Sequence, residues 1–314
     1  MWRIIRGRGG HDLLVTRLID VQRTAASSMT EDPVIHLSGR AGSLFFGVIE
    51  RLLRTNASLV LERQICEQIE SIYSTDLEFG QASVSSAALV TPKQDDMLLF
   101  FGAELPEEHL KSQPHYPEGM QLIHVTHAHE QQVRFEWATG QVVVHDMIPH
   151  RNDQVSTPKL FTSWLESFQE GEEITPEESG DRWWVSEIDV ADALVRLLLS
   201  SHPFPSECKM SGRRSWSTVQ TLEEFQLLYK RTSAGRSGAF GIEELTAAPA
   251  PVIEVQPLIV TDAPPMSIEE SMAQRPDLSP VHEALHKADG DGWRPLVPIR
   301  TSLMHCLAGM LDGD

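Results

Sequence analysis

The sequence is short of tyrosine, cysteine and basic residues. Three tyrosines and three cysteines occur in 314 residues, and 26 basic side chains stand against 45 acidic ones, giving a formal net charge of −19. This excess of negative charge repels a phosphate backbone, so we expect no nucleic-acid partner. Cys66, Cys208 and Cys306 are odd in number and far apart, which disfavours a disulfide framework and a cysteine-based metal site.

Long apolar runs are also missing. No run approaches the roughly 20 residues needed to cross a bilayer. The first residues, Met1 to Arg6, contain no apolar core of signal-peptide length. We therefore expect a soluble, cytoplasmic protein without a membrane partner. The content of 41% hydrophobic and 23% charged residues is typical of a globular chain.

Residues 1–33 form a basic N-terminal extension on an acidic protein. Leu14, Leu18 and Val21 recur at helical spacing and predict a short amphipathic helix. The helix would either pack on its own domain or act as a docking arm for an acidic protein partner or a second copy of the chain. The basic residues of this extension are Arg3, Arg6, Arg8, Arg17 and Arg23.

Residues 34–150 alternate short apolar runs with helical stretches. This pattern predicts an α/β fold with a doubly wound, Rossmann-like parallel sheet that forms a dinucleotide-binding domain. Helices are predicted over 44–53 and 83–90. The predicted strands are 34–37, 59–61, 72–73, 97–101, 122–125 and 142–144.

Residues 151–314 change in character to helices separated by proline, glycine and tryptophan. Helices are predicted from 161, over 188–199 and over 221–229. We expect this part to be smaller and mostly helical.

The first strand leads into a turn that contains Ser38, Gly39 and Gly42, followed by a helix and a second strand. Strand, glycine-rich turn and helix in this order are what a pyrophosphate site needs. Glycines let backbone N–H groups approach the phosphates, and the helix N-terminus supplies positive potential.

Residues 34–63 resemble the opening of the extended short-chain dehydrogenase/reductase family, which includes nucleotide-sugar epimerases and dehydratases. The family's turn is Thr-Gly-x-x-Gly-x-x-Gly, and this sequence has Phe45 where the third glycine belongs. A ring at that position would push the helix away or occupy cofactor space. The resemblance thus implies a cofactor turn made of Ser38, Gly39, Gly42 and Phe45.

The same resemblance implies further cofactor contacts. Glu62 would accept from a ribose hydroxyl, which favours NAD over NADP; equally, it is an exposed strand-end residue beside Arg63. Asp76 matches the family's adenine contact after the third strand. The fourth strand, which ends at Gly102 and Ala103, would lie against the cofactor. Whether a dinucleotide still binds stays open.

Later segments resemble the family as well, so that the matches extend from residue 34 to about 310. They are 182–193, similar to Arg-x-x-Val-x-Val-x-Asp-Val-Ala-x-Ala, and the pair 275–279 and 292–296, similar to "Arg-x-Asp-x-Ser … Gly-Trp-x-Pro". The resemblance implies that residues 151–314 form a C-terminal substrate lobe interleaved with the first domain, in which Arg213 and Arg275 would bind the phosphates of a nucleotide-sugar. Arg213 and Arg214 are alternatively plain surface charges.

A second register is also conceivable. In it, 33–39 would be the family's fourth strand and 73–76 its catalytic strand, and the glycine turn would be missing. We prefer the first register because it accounts for 97–101 and gives every strand a helix.

Catalysis in this family relies on a tyrosine, a lysine four residues later that lowers the tyrosine pKa, and a serine or threonine. The residues four positions after Tyr73, Tyr116 and Tyr229 are leucine, methionine and serine, so no such pair exists. Thr126 would be a remnant of the serine or threonine. Thr126 and Val142 are only 16 positions apart, which leaves little room for the catalytic helix.

Histidines offer a replacement in the same region. His127 and His129 point to one face of a strand, which suggests either a His general base with Glu130 or Asp146, or solvent-facing imidazoles. We predict no metal site because no recognised ligand pattern is complete. The other histidines of this group are His124, His145 and His150.

The sequence therefore predicts a non-catalytic protein related to this family, with a binding or scaffold role and at most weak NAD(P) or nucleotide-sugar binding. The alternative is a divergent NAD-dependent epimerase, dehydratase or reductase that uses non-standard acid and base residues.

Overall fold

The computed structural model describes residues 34–102, 116–130, 137–151, 153, 156–175, 181–238 and 275–312. The basic extension 1–33 and Ala103 lie outside these residues. Nine strands are present in the described part: β1 Val34–Gly39, β2 Ser58–Leu61, β3 Ser83–Ser86, β4 Met97–Phe101, β5 Gln121–His127, β6 Gly140–Val144, β7 Met147–Ile148, β8 Val185–Ser186 and β9 Glu207–Met210.

Eight helices accompany them in the described residues: α1 Ser43–Leu52, α2 Arg63–Ile72, α3 Ser74–Phe79, α4 Lys159–Glu170, α5 Glu187–Leu198, α6 Thr218–Ser237, α7 Ser279–Asp289 and α8 Ile299–Asp312. Ordinary capping explains several ends; α6, for example, begins with a capping box of Ser217 and Gln220. No helix in this part of the chain is long and apolar enough to span a membrane.

Seven strands form one parallel sheet in the order β3-β2-β1-β4-β5-β6-β9, which confirms the doubly wound fold class. The order reverses between β1 and β4, so a crevice opens at the carboxyl ends of these two strands. The position of β1 beside both β2 and β4 rules out the alternative register, in which 34–39 would be the fourth strand.

Two predicted elements are wrong. Residues 72–73 are not a strand, because α2 continues to Ile72, and Cys66 and Ile69 form its buried face. The third strand is Ser83–Ser86 instead, where a helix was predicted. This strand lies at the edge of the sheet and contains one apolar residue, Val84, so it lacks the apolar run that identifies a buried parallel strand.

The buried apolar side chains form two clusters. The larger one surrounds the sheet and includes residues of α1, α2, α5 and α7. The smaller one joins α4, α6 and α8 with Ile148 of β7, and is rich in aromatic rings such as Phe161, Trp184 and Phe225. Division of the chain at residue 150 stays a prediction.

Candidate functional site

The glycine turn follows β1 at the crevice, as the resemblance implied. Gly39 has a φ of +95°, and a Cβ there would collide with the carbonyl oxygen of Phe101 in β4. The next residue, Arg40, donates its N–H to the same oxygen over 2.8 Å. Only glycine therefore allows β1 to turn so close to β4 before α1 begins.

Phe45 fills the space that a third glycine would leave open. Its side chain is only 2% exposed and packs edge-to-face on Phe101, with ring centroids 5.4 Å apart. The ring therefore occupies the floor of the crevice between the first turn of α1 and the end of β4.

The N-terminus of α1 binds a carboxylate of the same chain. Ser43 donates its N–H to Asp153 Oδ2 over 2.8 Å, and Ser156 Oγ donates to that oxygen over 2.6 Å. A Cβ on Gly42 would lie 2.7 Å from the same atom, so the carboxylate uses the approach that the glycine leaves open. A helix N-terminus after a glycine turn is where the phosphates of a nucleotide bind, and here Asp153 takes that place.

An ion pair crosses the crevice from the other side. Arg40 Nη1 lies 2.5 Å from Glu130 Oε1, while Glu130 Oε2 accepts from Thr126 Oγ1 over 3.0 Å and from the His127 N–H over 2.9 Å. Burial raises the pKa of Glu130, but the His127 N–H and the nearby cations outweigh it and hold that pKa below its usual value. Burial lowers the pKa of His127 to about 4.

Little space remains on the β4 side of the glycine turn, whereas a cavity of about 480 Å³ opens on its other side, along Gly42, Ser43 and Tyr73. The cavity bounded by Arg40, Gly42, Phe45, Phe101 and His127 has a volume of about 10 Å³. That is room for about one water, whereas small-molecule sites usually measure several hundred Å³.

The segment that closes the crevice follows β7. We call its described residues the closing segment: His150, Arg151, Asp153, Ser156 and Thr157. It is anchored below by Glu187, a residue of α5 that is 2% exposed. Glu187 Oε2 accepts from Ser43 Oγ and, over 2.7 Å, from the His150 N–H. Burial raises the pKa of Glu187.

The remaining predicted cofactor residues divide between the crevice and other places. Glu62 directly follows β2 and receives a long 3.4 Å contact from Ser38 Oγ, and Gly102 follows β4. Arg63 instead binds Glu67 on the surface of α2. Asp76 is exposed on α3, before β3 rather than after it, so its placement after the third strand was wrong.

The predicted catalytic remnant does not face open space. Thr126 is buried and donates to Glu130, as described above. The hydroxyl of Tyr73 lies between α1 and the closing segment, where it donates to Glu50 Oε1 over 2.8 Å and accepts from Arg151 Nη2 over 3.0 Å. Twelve residues separate the end of β5 from Gly140; of these, 128–130 and 137–139 are described and contain no helix.

The five histidines of the β5–β6 region do not form one site. His124 is buried and donates Nε2–H to the Gly102 carbonyl over 2.6 Å, and His127 stacks on His129 with centroids 5.4 Å apart. His145 faces another cavity, and His150 contacts the last helix. Across the described ranges, no group of three or more His, Cys, Asp or Glu side chains is arranged to hold a metal.

A larger cleft of about 650 Å³ lies beside the crevice, between the end of β6, the start of α4 and the residues before β8. His145 Nε2 and Thr157 Oγ1 are buried in its wall without a hydrogen-bond partner in the described structure. Burial lowers the pKa of His145, so its imidazole is neutral near pH 7. Lys159, Arg182 and Trp183 also line the cleft.

Asp146 shapes one wall of this cleft. It adopts a φ of +46°, which is uncommon for a residue other than glycine. Its Oδ2 accepts from the Trp183 N–H over 2.8 Å, and Arg182 Nη1 lies 3.4 Å from its Oδ1. Asp146 thus holds the segment before β8 against the end of β6 and fixes Arg182 at the cleft.

The arginines predicted to bind substrate lie elsewhere. Arg213 is exposed next to Arg214, which stacks over Trp216, and neither lines the cleft. Arg275 is exposed, although the adjacent Pro276 does line the cleft. Arg182 was noted only as part of a motif. Asp153 was missed altogether, because no local pattern marks a residue that reaches α1 from a distant segment.

Scans against protein-family models and curated protein sequences find no match to this chain. Solved structures do match. A UDP-glucuronic acid 4-epimerase variant from Bacillus cereus, in complex with a fluorinated UDP-glucuronic acid and NAD, is 10% identical; the match covers 90% of this chain and 100% of that one, with a TM-score of 0.51.

Two other structures match at lower scores. The enzyme WbmF from Bordetella bronchiseptica, in complex with NADH, is 10% identical over 92% of this chain and 94% of that one, with a TM-score of 0.48. UDP-glucose 4-epimerase from Thermotoga maritima with UDP-glucose is 12% identical over 89% and 99%, with a TM-score of 0.47. Sheet order and the match to the Bacillus enzyme together show that this chain has the fold of the extended short-chain dehydrogenases/reductases.

Proposed function

We propose that this chain is a non-catalytic binding protein on the short-chain dehydrogenase/reductase fold, in which the dinucleotide crevice is closed by the protein's own side chains. One observation carries the proposal: the Asp153 carboxylate occupies the N-terminus of α1, where the fold otherwise binds the cofactor pyrophosphate. The ring of Phe45 and the absence of any Tyr–Lys pair support it. NAD binding would require both the ring and the carboxylate to move.

The ligand is proposed to bind in the larger cleft. Its volume of about 650 Å³ lies within the usual range for small-molecule sites. Arg182 and Lys159 line the cleft and would favour an anionic group of the ligand. His145 Nε2 and Thr157 Oγ1 are buried behind the cleft surface without partners, and a small movement of the wall would let a ligand's hydroxyls reach them. Nucleotide-sugars combine these features, and the similar Bacillus enzyme was solved with one.

This function is tested by binding and turnover with UDP-glucose and UDP-glucuronic acid, each with NAD or NADP. We expect a thermal shift with the sugar nucleotide, and neither an epimer by NMR nor reduced cofactor by absorbance. Thr157→Val should weaken the binding of the sugar nucleotide about tenfold, since it removes one hydrogen bond to the ligand. Thr75→Val, on the exposed surface of α3, is the matched control. Turnover would refute the non-catalytic assignment.

A divergent enzyme is the second candidate, and His145 is the observation that favours it. Burial lowers the pKa of this cleft-lining imidazole, and its Nε2, buried behind the cleft surface without a partner, would suit a general base once a movement of the wall exposes it. If turnover is seen, it should then be lost in His145→Gln. A scaffold role through the basic extension 1–33 also stays a proposal.

A further inference from the structure

Two imidazoles join the closing segment to the last helix. His150 Nδ1 and His305 Nδ1 lie 3.0 Å apart, and the rings meet edge-to-face with centroids 4.4 Å apart at 86°. One ring must donate and the other must accept. The contact therefore requires that the accepting nitrogen carry no proton.

His150 sits at the start of the closing segment, and its neighbours are bound to other helices. Its own N–H donates to Glu187, and the Arg151 N–H donates to Ser43 Oγ over 3.2 Å. Asp153 caps α1 two residues further on. The His150–His305 contact thus links α8 to the segment whose carboxylate fills the crevice.

The charges around the pair come from three sides. Arg151 follows His150 in the closing segment, and Glu50 and Arg51 face His150 from α1. Glu187 of α5 accepts the His150 N–H. Burial lowers the pKa of His150, Arg151 and Arg51 lower it further, and Glu50 opposes them. Burial and the neighbouring His150 lower the pKa of His305. Both rings are consequently neutral near pH 7.

Proton counting shows how acid affects the contact. A first added proton enters the outer nitrogen of the donating ring and leaves the Nδ1–H to Nδ1 bond intact. A second must enter the accepting Nδ1, which ends the bond and places two cations 3.0 Å apart beside Arg151. We propose that His150 and His305 form an acid-sensitive latch, which holds the closing segment on α8 at neutral pH and releases it when both rings are charged.

Hydrogen exchange tests the latch on the intact chain. Peptides that contain His150 and Arg151 are compared at pH 7.5 and pH 5.0, with exchange times scaled for the intrinsic effect of pH. We expect protection in the wild type at pH 7.5 and at least tenfold faster scaled exchange at pH 5.0. His305→Phe keeps a ring but removes the bond, so its exchange should be fast at both pH values. His202→Phe, on the exposed surface, is the control and should behave as the wild type.

Three results would overturn the latch. The first is equal scaled protection of the wild type at both pH values. The second is that the His150–Arg151 peptide of His305→Phe is protected at pH 7.5 and exchanges faster at pH 5.0, as in the wild type. The third is that β4 and β5 lose protection at pH 5.0 together with the closing segment, since the change would then be global unfolding. None of these outcomes depends on whether the crevice binds a nucleotide, so the latch and the proposed function fail separately.

Discussion

At the scale of single residues, the start of α1 and the end of β4 are contacted by side chains of the chain itself. Asp153 satisfies an N–H at the start of α1, and a carboxylate there is favoured by the helix dipole in the same way as a phosphate. Phe45 adds a buried ring that packs on β4. The two residues together make closure of the crevice a stable arrangement rather than an empty site.

The sequence anticipated one of these two residues. Phe45 could be recognised because it interrupts a glycine pattern at a fixed spacing. Asp153 could not be recognised, because it lies in a segment more than a hundred residues after α1 that folds back across the start of that helix. The burial of Glu187 could not be predicted either. An acidic residue directly after a capping serine such as Ser186 is equally common at helix starts that are exposed to solvent.

Glu187 gives the first prediction. Its carboxyl group is buried and forms no ion pair with a cation of the described residues, and burial raises its pKa. The folded state therefore retains a proton that the unfolded state loses above about pH 4.5. Its contribution to stability is present at low pH and is lost as pH rises through the raised pKa.

Glu187→Gln removes this titration. We expect the free energy of unfolding of the variant, relative to the wild type, to increase as pH rises from about 4.5 through the raised pKa of Glu187, by at most about 1.4 kcal/mol per pH unit. Urea unfolding at four pH values measures it. A difference that is flat or falls with pH would contradict the assignment of a raised pKa in the folded state.

At the scale of elements, most of the parallel sheet was predictable and one of its edges was not. Buried strands such as β4 consist of continuous apolar residues, a strong signal. Edge strand β3 needs only one apolar face and reads Ser-Val-Ser-Ser, so its sequence gives no such signal. Residues 72–73 were predicted as a strand because Ile72 is apolar, but Ile72 ends α2 and is 60% exposed.

The packing of α1 on α5 gives the second prediction. Gly47 lies at the crossing, where a Cβ would be 2.6 Å from Glu187 Oε1 and 3.5 Å from the Ala191 side chain. Gly47→Ala should therefore destabilise the fold by about 1–3 kcal/mol, because the buried Glu187 carboxylate would have to leave its hydrogen bonds from Ser43 and His150.

Gly235→Ala is the matched control for this substitution. Gly235 is also helical, in α6, but a Cβ there would meet nothing within 4 Å. The change should stabilise the protein by about 0.5–1 kcal/mol through helix propensity. Denaturant unfolding of both variants decides the point; equal effects would mean that α1 and α5 do not approach as closely as the structure indicates.

At the scale of the whole molecule, the fold and the candidate site could not be predicted equally well from the sequence. Fold class followed from alternating strands and helices, which many sequences share, and from family motifs spread along the chain. The site required the three-dimensional arrangement, since Arg182 and His145 come together only through the parallel pairing of β7 with β8. A shared fold with known epimerases therefore does not carry their activity to this chain.

The central claim is that the chain closes its own dinucleotide crevice, and calorimetric titration of the wild-type protein with NAD at pH 7.5 tests it most directly. The account predicts no heat of binding up to millimolar NAD, because the Phe45 ring and the Asp153 carboxylate occupy the site. Saturable binding with a micromolar dissociation constant would contradict it, and would show that the crevice opens readily to admit a cofactor.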